Sequence, residues 1–331
     1  MNRIFMHFIT LFLLLSSELF SFEYELGQGI NIPQTPIYVG GYATLDYLHR
    51  EDDYSRFRVD ELALLSYASY NRFSFMGELL YKESYVKEWG KVKREKKGTP
   101  LTIERLYLDY RIDDALTLRA GKFNTPVGYW NLEPISVLRD SASNPYLAYI
   151  IYPRYTTGIL LTYADTISSD SSYTLIAQEN SDLDDNYNNI SVKRHYALGY
   201  EYRFDNDVEM KLNLGHFMTT SSNRSYYGVV SLQYDKRKYK INSEFALREG
   251  EVKLSVPYSF YLQGVYKFQE QHNFIARYET YKIDEGSLRE EQIGVFGYTY
   301  RPIFPLTFKL EYQLHSYTNE NQFHAAISVM F

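Results

Sequence analysis

Charged side chains of opposite sign recur two residues apart at several places in the chain. The pairs are Asp109 with Arg111, Glu201 with Arg203, Glu209 with Lys211, Arg277 with Glu279, and Lys309 with Glu311. Glu78 with Lys82 and Glu244 with Arg248 repeat the arrangement at a spacing of four. In an extended strand such residues share a face. Grouped charges of both signs can orient passing solutes by their local field, or they can neutralise one another and brace the surface that carries them.

Residues that perform catalysis or bind metals show no recognised spacing. The chain contains no cysteine, no His-Glu-x-x-His motif and no Gly-x-Ser-x-Gly nucleophile elbow. The nearest approach to a hydrolase site is His216 with Ser221 and Ser222. Oxygen ligands for calcium occur together, without the glycine and terminal glutamate of a calcium loop, in Asp182, Asp184, Asp185 and Asn186. We expect no catalytic residue, no metal site, no cofactor and no enzymatic activity.

The stretch from 306 to 331 shows which element carries the charges, because it alternates with a period of two. Apolar residues occupy one face, at Leu306, Phe308, Leu310, Tyr312 and Leu314. Polar residues occupy the other, at Thr307, Lys309, Glu311, Gln313 and His315. After a polar turn the pattern resumes and ends on Phe331. Such runs reach about 9 to 11 residues, the length that a tilted strand needs to cross a bilayer, whereas strands of soluble sheets are usually about 5 to 6.

The same period identifies a series of strands along the whole chain. Before the closing hairpin they cover 37–47, 57–68, 73–83, 105–111, 116–123, 157–163, 173–178, 196–204, 208–217, 227–234, 239–248, 260–268, 274–281 and 293–300. The connections alternate strictly between short and long, as in membrane barrels with short periplasmic turns and longer outer loops. The predicted fold class is therefore all-β. We expect a transmembrane, antiparallel, up-and-down β-barrel of about 16 strands, with 14 or 18 as alternatives and both termini on the periplasmic side.

The strand at 57–68 departs from the pattern. Glu61 falls in phase with the apolar residues Phe57 and Val59, while Leu62 and Leu64 take the other face. A bulge near Asp60 would restore the register. Alternatively, the charged end of the strand lies above the bilayer.

The composition suits a protein at a membrane boundary. The chain of 331 residues is 45% hydrophobic and contains 35 Tyr and 20 Phe, with a formal net charge of -6. Amphipathic rings form the aromatic girdles at the two membrane interfaces. Because the positive charges form no basic stripe, nucleic acid is a poor partner. The basic run from Lys91 to Lys97 could bind lipopolysaccharide phosphates or remain a solvated loop.

The N-terminus divides the chain into regions. Arg3, an apolar run and a small residue at Ser21 predict a secretory signal peptide over 1–21, cleaved near Ser21. Residues 22–36 are then a periplasmic N-terminal segment, and 37–331 form the barrel. The apolar run is shorter than the roughly 20 residues of a membrane-spanning helix, which argues against a retained anchor.

The longest connection, 124–154, is the candidate for narrowing a barrel that side chains alone cannot fill. Its prolines 126, 134, 145 and 153 stiffen it, as a segment held inside a pore requires. The predicted constriction comprises Arg119, Lys122, Glu133, Arg139, Asp140 and Arg154. A surface lid or a trimer contact is the alternative role for this loop. The predicted lining of the lumen comprises Glu78, Lys82, Asp109, Arg111, Glu201, Arg203, Glu209, Lys211, Glu244, Arg248, Arg277, Glu279, Lys309 and Glu311.

Two runs resemble Gram-negative outer-membrane porins related to the phosphate-selective porin (O/P-type) superfamily. They are the sequence YLDY at 107–110 and the sequence LRAGKFNTPVGYWN at 118–131. The resemblance implies a trimeric channel with an inward-folded loop at its waist and passive uptake of small hydrophilic solutes. Phosphate-selective members line the waist with many basic residues, whereas here Arg139 and Arg154 are offset by Glu133 and Asp140. We therefore expect a general or weakly selective pore.

Three functions follow as hypotheses. The first is a porin in the outer membrane of a Gram-negative bacterium, a homotrimer in contact with lipid and lipopolysaccharide, whose C-terminal strand and Phe331 signal to the barrel-assembly machinery. The second is a plugged structural or adhesive barrel that binds a partner through its outer loops. The third is a barrel hydrolase at the rim.

Overall fold

A computed structural model describes residues 24–25, 27–51, 54–90, 101–165, 170–186, 188–251, 255–284, 288–318 and 320–331. Sixteen antiparallel strands form a closed ring in which each strand pairs with the next and the last pairs with the first. Two short strands, β1 (Tyr24–Glu25) and β2 (Gly29–Asn31), lie outside this ring. The predicted all-β barrel of 16 strands is confirmed.

The ring is built from long strands. They are β3 (Ile37–Arg50), β4 (Tyr54–Tyr70), β5 (Phe73–Gly90), β6 (Leu101–Arg111), β7 (Leu116–Asn124), β8 (Tyr155–Asp165), β9 (Ser171–Gln178), β10 (Val192–Arg203), β11 (Val208–Thr219), β12 (Arg224–Lys236), β13 (Tyr239–Gly250), β14 (Ser255–Gln269), β15 (His272–Asp284), β16 (Leu288–Ile303), β17 (Leu306–His315) and β18 (Gln322–Met330). The connections alternate between tight turns at one end, the short-turn end, and longer segments at the other, the long-loop end. The signal segment 1–21 and the basic run 91–97 lie outside the described residues.

Alternation along β17 separates the two faces of the wall. Thr307, Lys309 and Glu311 are at most 2% exposed, whereas Phe308 and Leu310 are 37% and 48% exposed. Because the inner face of a closed barrel is the sheltered one, the charged residues point inward and the apolar residues face out. None of the helical turns in the described part of the chain is long and apolar enough to cross a bilayer.

A bulge at Asp60 accounts for the irregular strand. Glu61 pairs with Thr44 and Val59 pairs with Leu45, so Asp60 has no partner on β3. The pairing of β4 with β5 shifts at the same place. A bulge of this kind adds one residue to one strand and changes the phase of the side chains. Of the two explanations that the sequence left open, the structure shows the bulge.

The ring closes where the two ends of the chain meet. The Phe331 amide donates a hydrogen bond to the Gly41 carbonyl at 2.8 Å, and the Gly41 amide donates to the Phe331 carbonyl at 2.7 Å. Beyond this point β2 pairs with Tyr38 and Val39 of β3 and continues the wall toward the short-turn end. The barrel therefore has no open edge at its seam.

An outward charge tests the assignment of faces. Replacing Leu310, on the outer face of β17, by arginine exposes a charge to lipid and should lower the free energy of unfolding from bilayers by about 2 to 4 kcal/mol. Folding titrations in phospholipid vesicles measure this difference. The matched variant Gln313→Arg changes the inner face of the same strand, and its smaller effect distinguishes lipid exposure from a general intolerance of the strand.

Candidate functional site

The segment 125–154 lies inside the barrel, where it contacts strands on the far wall. It contains the 3-10 turns Trp130–Leu132 and Ser136–Leu138 and the single helical turn Leu147–Ile150. Turns this short leave most backbone N–H and C=O groups without partners in the segment. In a sheltered location those groups need partners from elsewhere. Charged side chains on the inner wall provide them.

Three inward carboxylates accept hydrogen bonds from backbone amides of the segment. Glu244 on β13 accepts from the amides of residues 129 and 130 at 2.8 and 2.9 Å. Glu279 on β15 accepts from the Tyr146 amide at 2.8 Å. Glu311 on β17 accepts from the amides of residues 142 and 143 at 3.0 and 3.2 Å. Hydrogen bonds to ionised acceptors are stronger than those between neutral groups, so three alternate strands hold three different parts of the segment.

Three inward cations bind its carbonyl groups. Lys309 donates to the carbonyls of residues 136 and 141 at 2.5 and 3.1 Å. Arg301 donates to the carbonyls of residues 137, 138 and 139 at 2.6, 3.1 and 2.9 Å. Arg277 donates to the Ser143 carbonyl at 3.1 Å. Arg301 was not predicted as a site residue, although it follows the inward alternation of β16 close to the end of that strand.

Gly128 allows the segment to approach β13 closely. Its φ is +67°, in the left-handed region, and a Cβ at this position would lie 2.3 Å from Glu244 Oε2. Any side chain would therefore displace the carboxylate that binds the neighbouring amides. Glycine is required here for both reasons.

Ion pairs on the inner wall run mostly across strands. Five pairs join residues directly opposite in the register: Asp46 with Arg58 at 2.6 Å, Glu78 with Arg105, Asp109 with Arg119 at 2.7 Å, Glu201 with Lys211 at 3.1 Å, and Arg203 with Glu209 at 2.5 Å. Residues two apart on a strand are about 7 Å apart, whereas cross-strand neighbours are about 5 Å apart. Among the expected same-strand pairs, Arg277 with Glu279 forms at 2.6 Å.

The other expected lumen residues have different partners. Lys82 approaches Asp60 at 4.0 Å, and Arg111 donates to the Asn71 carbonyl at 3.4 Å. Arg248 is buried near the long-loop end of β13. Glu244, Lys309 and Glu311 bind the segment rather than one another, and all three are at most 2% exposed. They therefore hold the segment and do not face open solvent.

An apolar core fills one side of the lumen, which the sequence reasoning missed. Val127, Trp130, Leu147, Ile151 and Tyr152 of the segment pack against inward side chains of β9 to β14. The wall residues include Ile176, Val192, Ala197, Phe217, Val229, Ala246, Val256 and Tyr261. Adjacent apolar residues, as at 229 and 230, are the sequence signal for a strand buried on both faces. This side of the barrel is dry.

The opposite side of the lumen retains a polar cavity of about 650 Å³ between the segment and strands β3 to β5 and β15 to β18. We call it the vestibule cavity. It opens toward the long-loop end, where Arg50 and Glu320 form an ion pair of 2.9 Å. Ser136, Ala142 and Ser143 of the segment line it from the other side. The Ser328 hydroxyl donates to the Ser136 hydroxyl at 3.1 Å, so the segment contacts β18 directly.

The structure separates the six residues of the predicted constriction. Arg119 lies over the Tyr107 ring and pairs with Asp109, and Lys122 donates to the Asp184 carbonyl. Arg139 and Arg154 line the vestibule cavity. Glu133 and Asp140 lie 2.9 and 3.5 Å from Lys240 on β13. The expected offset of Arg139 by these acids is therefore not observed, because Lys240 binds both carboxylates on another side of the segment.

The described residues between β9 and β10, 179–186 and 188–191, pack over the root of the segment. The Asn188 side chain accepts from the Arg154 amide at 2.9 Å and donates to the Tyr155 carbonyl at 2.9 Å. Asp182 accepts from Gln178 at 3.0 Å, and its burial raises the pKa of its carboxyl. Within the described residues, no three His, Cys, Asp or Glu side chains are placed to hold a metal ion. The acidic residues of this connection serve as hydrogen-bond partners.

The geometry expected of a rim hydrolase is not present at His216. Its ring packs on Tyr226 at 4.7 Å between centroids, on the outer face of the wall. Ser221 shares a hydrogen bond of 3.2 Å with Thr219, and Ser222 accepts from Lys193 at 2.7 Å. A nucleophile needs a base within hydrogen-bond reach, and these contacts provide none.

Comparisons with known proteins place the fold among outer-membrane porins and channels. The chain matches no protein family model and no curated protein. An anion-selective porin from Comamonas acidovorans is 10% identical, with a TM-score of 0.63 over 90% of this chain and 100% of that one. OmpF of Salmonella typhi is 14% identical, with a TM-score of 0.62 over 90% and 98%. The trimer form of Vibrio cholerae OmpT is 11% identical, with a TM-score of 0.61 over 89% and 99%. Similarity at these identities establishes the fold.

Proposed function

We propose that the chain is an outer-membrane porin, a passive diffusion channel for small hydrophilic or ionic solutes with weak charge selectivity. The observation that carries the proposal is a closed barrel with an apolar exterior whose lumen is narrowed by an inserted segment and keeps a polar cavity. The similar folds of the Comamonas acidovorans porin and Salmonella typhi OmpF support it. We also propose that the chain is related to the phosphate-selective porins and that its inserted segment corresponds to their inward-folded loop.

The proposed setting is the outer membrane of a Gram-negative bacterium, reached after cleavage of the signal peptide. The apolar band on the outer wall would contact lipid and lipopolysaccharide. The trimer form of the OmpT neighbour supports a homotrimer. Phe331, which completes the seam with Gly41, would serve as the C-terminal assembly signal.

A plugged structural or adhesive barrel is the second candidate. The dry core on one side of the segment and the contact between Ser136 and Ser328 on the other favour it. In that case the long loops would bind a partner and the lumen would carry no flux.

Proteoliposome swelling distinguishes the two candidates. A diffusion channel should admit a series of neutral sugars at rates that fall steeply with sugar size, because a narrow polar passage excludes larger solutes. A plugged barrel gives no swelling above that of empty vesicles. Heat-modifiable migration on gels verifies that the barrel is folded in both preparations.

Arg139 should influence the ion preference of the channel. Arg139 lines the vestibule cavity, and among the described residues no carboxylate oxygen forms an ion pair with its guanidinium group within 4 Å. Replacing it by glutamine should shift the reversal potential in a salt gradient toward cations, with about a two- to fivefold change in the permeability ratio. Arg203→Gln, at an exposed pair on the short-turn side, is the matched control. Equal shifts for both variants would contradict a specific role for Arg139.

A further inference from the structure

The inner face of β17 is polar along its whole length. On the neighbouring strand β18, His324 lies opposite Glu311 and Ser328 lies opposite Thr307. We call these inward residues of β17 and β18 the polar stripe: Thr307, Lys309, Glu311, Gln313, His315, His324 and Ser328. Gln313, His315 and His324, toward the long-loop end, line the vestibule cavity. The polar stripe therefore leads from the vestibule cavity toward the short-turn end.

Apolar contacts join the segment to other parts of the wall. Beside the core on β9 to β14, a second cluster holds Ile135 and Val137 of the segment against β3 to β5, at Tyr42, Ala63, Leu65 and Leu80. A third holds Tyr146 and Ile150 against β15 and β16, at Tyr281, Ile283, Ile293 and Val295. Such contacts offer a polar solute nothing in place of its hydration water. They therefore close these sides of the segment to polar solutes.

The part of the segment that contacts the polar stripe carries no large apolar side chain. It is the sequence Asp-Ser-Ala-Ser at 140–143, which we call the polar tip. Lys309 donates to the carbonyl of residue 141 at 3.1 Å, and Glu311 accepts from the amides of residues 142 and 143 at 3.0 and 3.2 Å. Just outside the tip, Arg139 donates to the Asn144 side chain and ties the two ends of the tip together. Water and polar solutes can replace hydrogen bonds of this kind, since breaking them only exchanges one partner for another.

We propose that solutes cross the barrel between the polar tip and the polar stripe. This inference rests on the proposed channel function and identifies the wall along which permeation occurs. In the structure the tip is bonded to β17, and Thr307 and Ser328 are at most 1% exposed. The passage therefore opens when the tip leaves β17, while the apolar clusters keep the rest of the segment in place.

Cysteine modification during single-channel recording tests the proposal, because the chain contains no cysteine of its own. Thr307→Cys and Ser328→Cys place a thiol on the polar stripe. The matched controls Ala246→Cys and Ala63→Cys place it in the apolar clusters on the other walls. Thr307 and Ala246 are both 0% exposed, so the closed structure shields them equally. The probe is trimethylammonioethyl methanethiosulfonate, which joins its cation to a thiol through a disulfide and releases methanesulfinate.

The probe should lower the conductance of both stripe variants by about twofold or more, because the attached cation narrows the route and repels other cations. The conductance of both control variants should stay unchanged. A loss of current in Ala246→Cys or Ala63→Cys, or unchanged current in both stripe variants, would overturn the proposal. Heat-modifiable migration on gels verifies that each variant is folded. If the protein without substitutions carries no current, the channel function itself fails, whereas conducting stripe variants that ignore the probe refute only this route.

Discussion

Replacing Glu244 by alanine lowers the free energy of unfolding by about 3 kcal/mol or more. The Oε1 atom of this carboxylate accepts from the amides of residues 129 and 130 and from the Tyr261 hydroxyl at 3.0 Å. Glu244 is 1% exposed, so no water replaces it. Each buried donor left without an acceptor costs about 1 to 3 kcal/mol. Denaturant unfolding followed by tryptophan fluorescence measures the loss, and Trp130 reports directly on the segment.

Glu244→Gln is the matched control, since glutamine keeps one oxygen at the position that accepts all three hydrogen bonds. Its loss should be less than half that of the alanine variant. Proteolysis should also cleave 125–154 faster in the alanine variant. An alanine variant as stable as the unmodified protein would show that the carboxylate does not anchor the segment.

Replacing Arg277 by methionine lowers the stability by about 3 to 5 kcal/mol, because it leaves Glu279 as a buried charge without its cation. Arg277 is 3% exposed and bonds to Glu279 at 2.6 Å, to Ser141 and Gln263 at 3.1 Å each, and to the Ser143 hydroxyl at 2.6 Å. The same unfolding measurement gives the value. The expected loss of stability is large because the Arg277–Glu279 pair is buried.

Arg203→Met provides the comparison, since its pair with Glu209 is largely exposed and should contribute at most about 1 kcal/mol. Adding Glu279→Gln to Arg277→Met should recover part of the loss, as expected when the penalty comes from the stranded charge. If the double variant were less stable than Arg277→Met by as much as Glu279→Gln alone destabilises the protein, this explanation would be contradicted.

The wall of the barrel could be predicted because its signal is local. Alternation at 306–315 depends only on which face meets lipid, and the structure places Lys309 inward and Leu310 outward accordingly. The irregular phase around Glu61 likewise reported a real bulge. The strands extend further than predicted at the long-loop end, as in β5, which continues to Gly90 beyond the membrane-length pattern.

The interior could not be predicted because its contacts join residues distant in sequence. Glu311 binds residue 143 and Glu244 binds residue 130, and no periodicity relates such positions. Charges two apart on a strand suggested pairs such as Glu209 with Lys211, but the register gives each a partner on the neighbouring strand. Phe217 follows the inward alternation of β11, yet only the inserted segment explains an apolar residue there.

The most direct test of whether the inserted segment narrows an open channel is a comparison of single-channel conductance. It compares the intact chain with a variant in which a short Gly-Ser linker replaces 130–150. We expect stepwise currents from both proteins, with a conductance several times larger for the variant, because removing the segment widens the lumen. A silent intact chain beside a conducting variant would contradict the proposal and identify a plugged barrel. Equal conductance of the two would show that ions do not pass the segment.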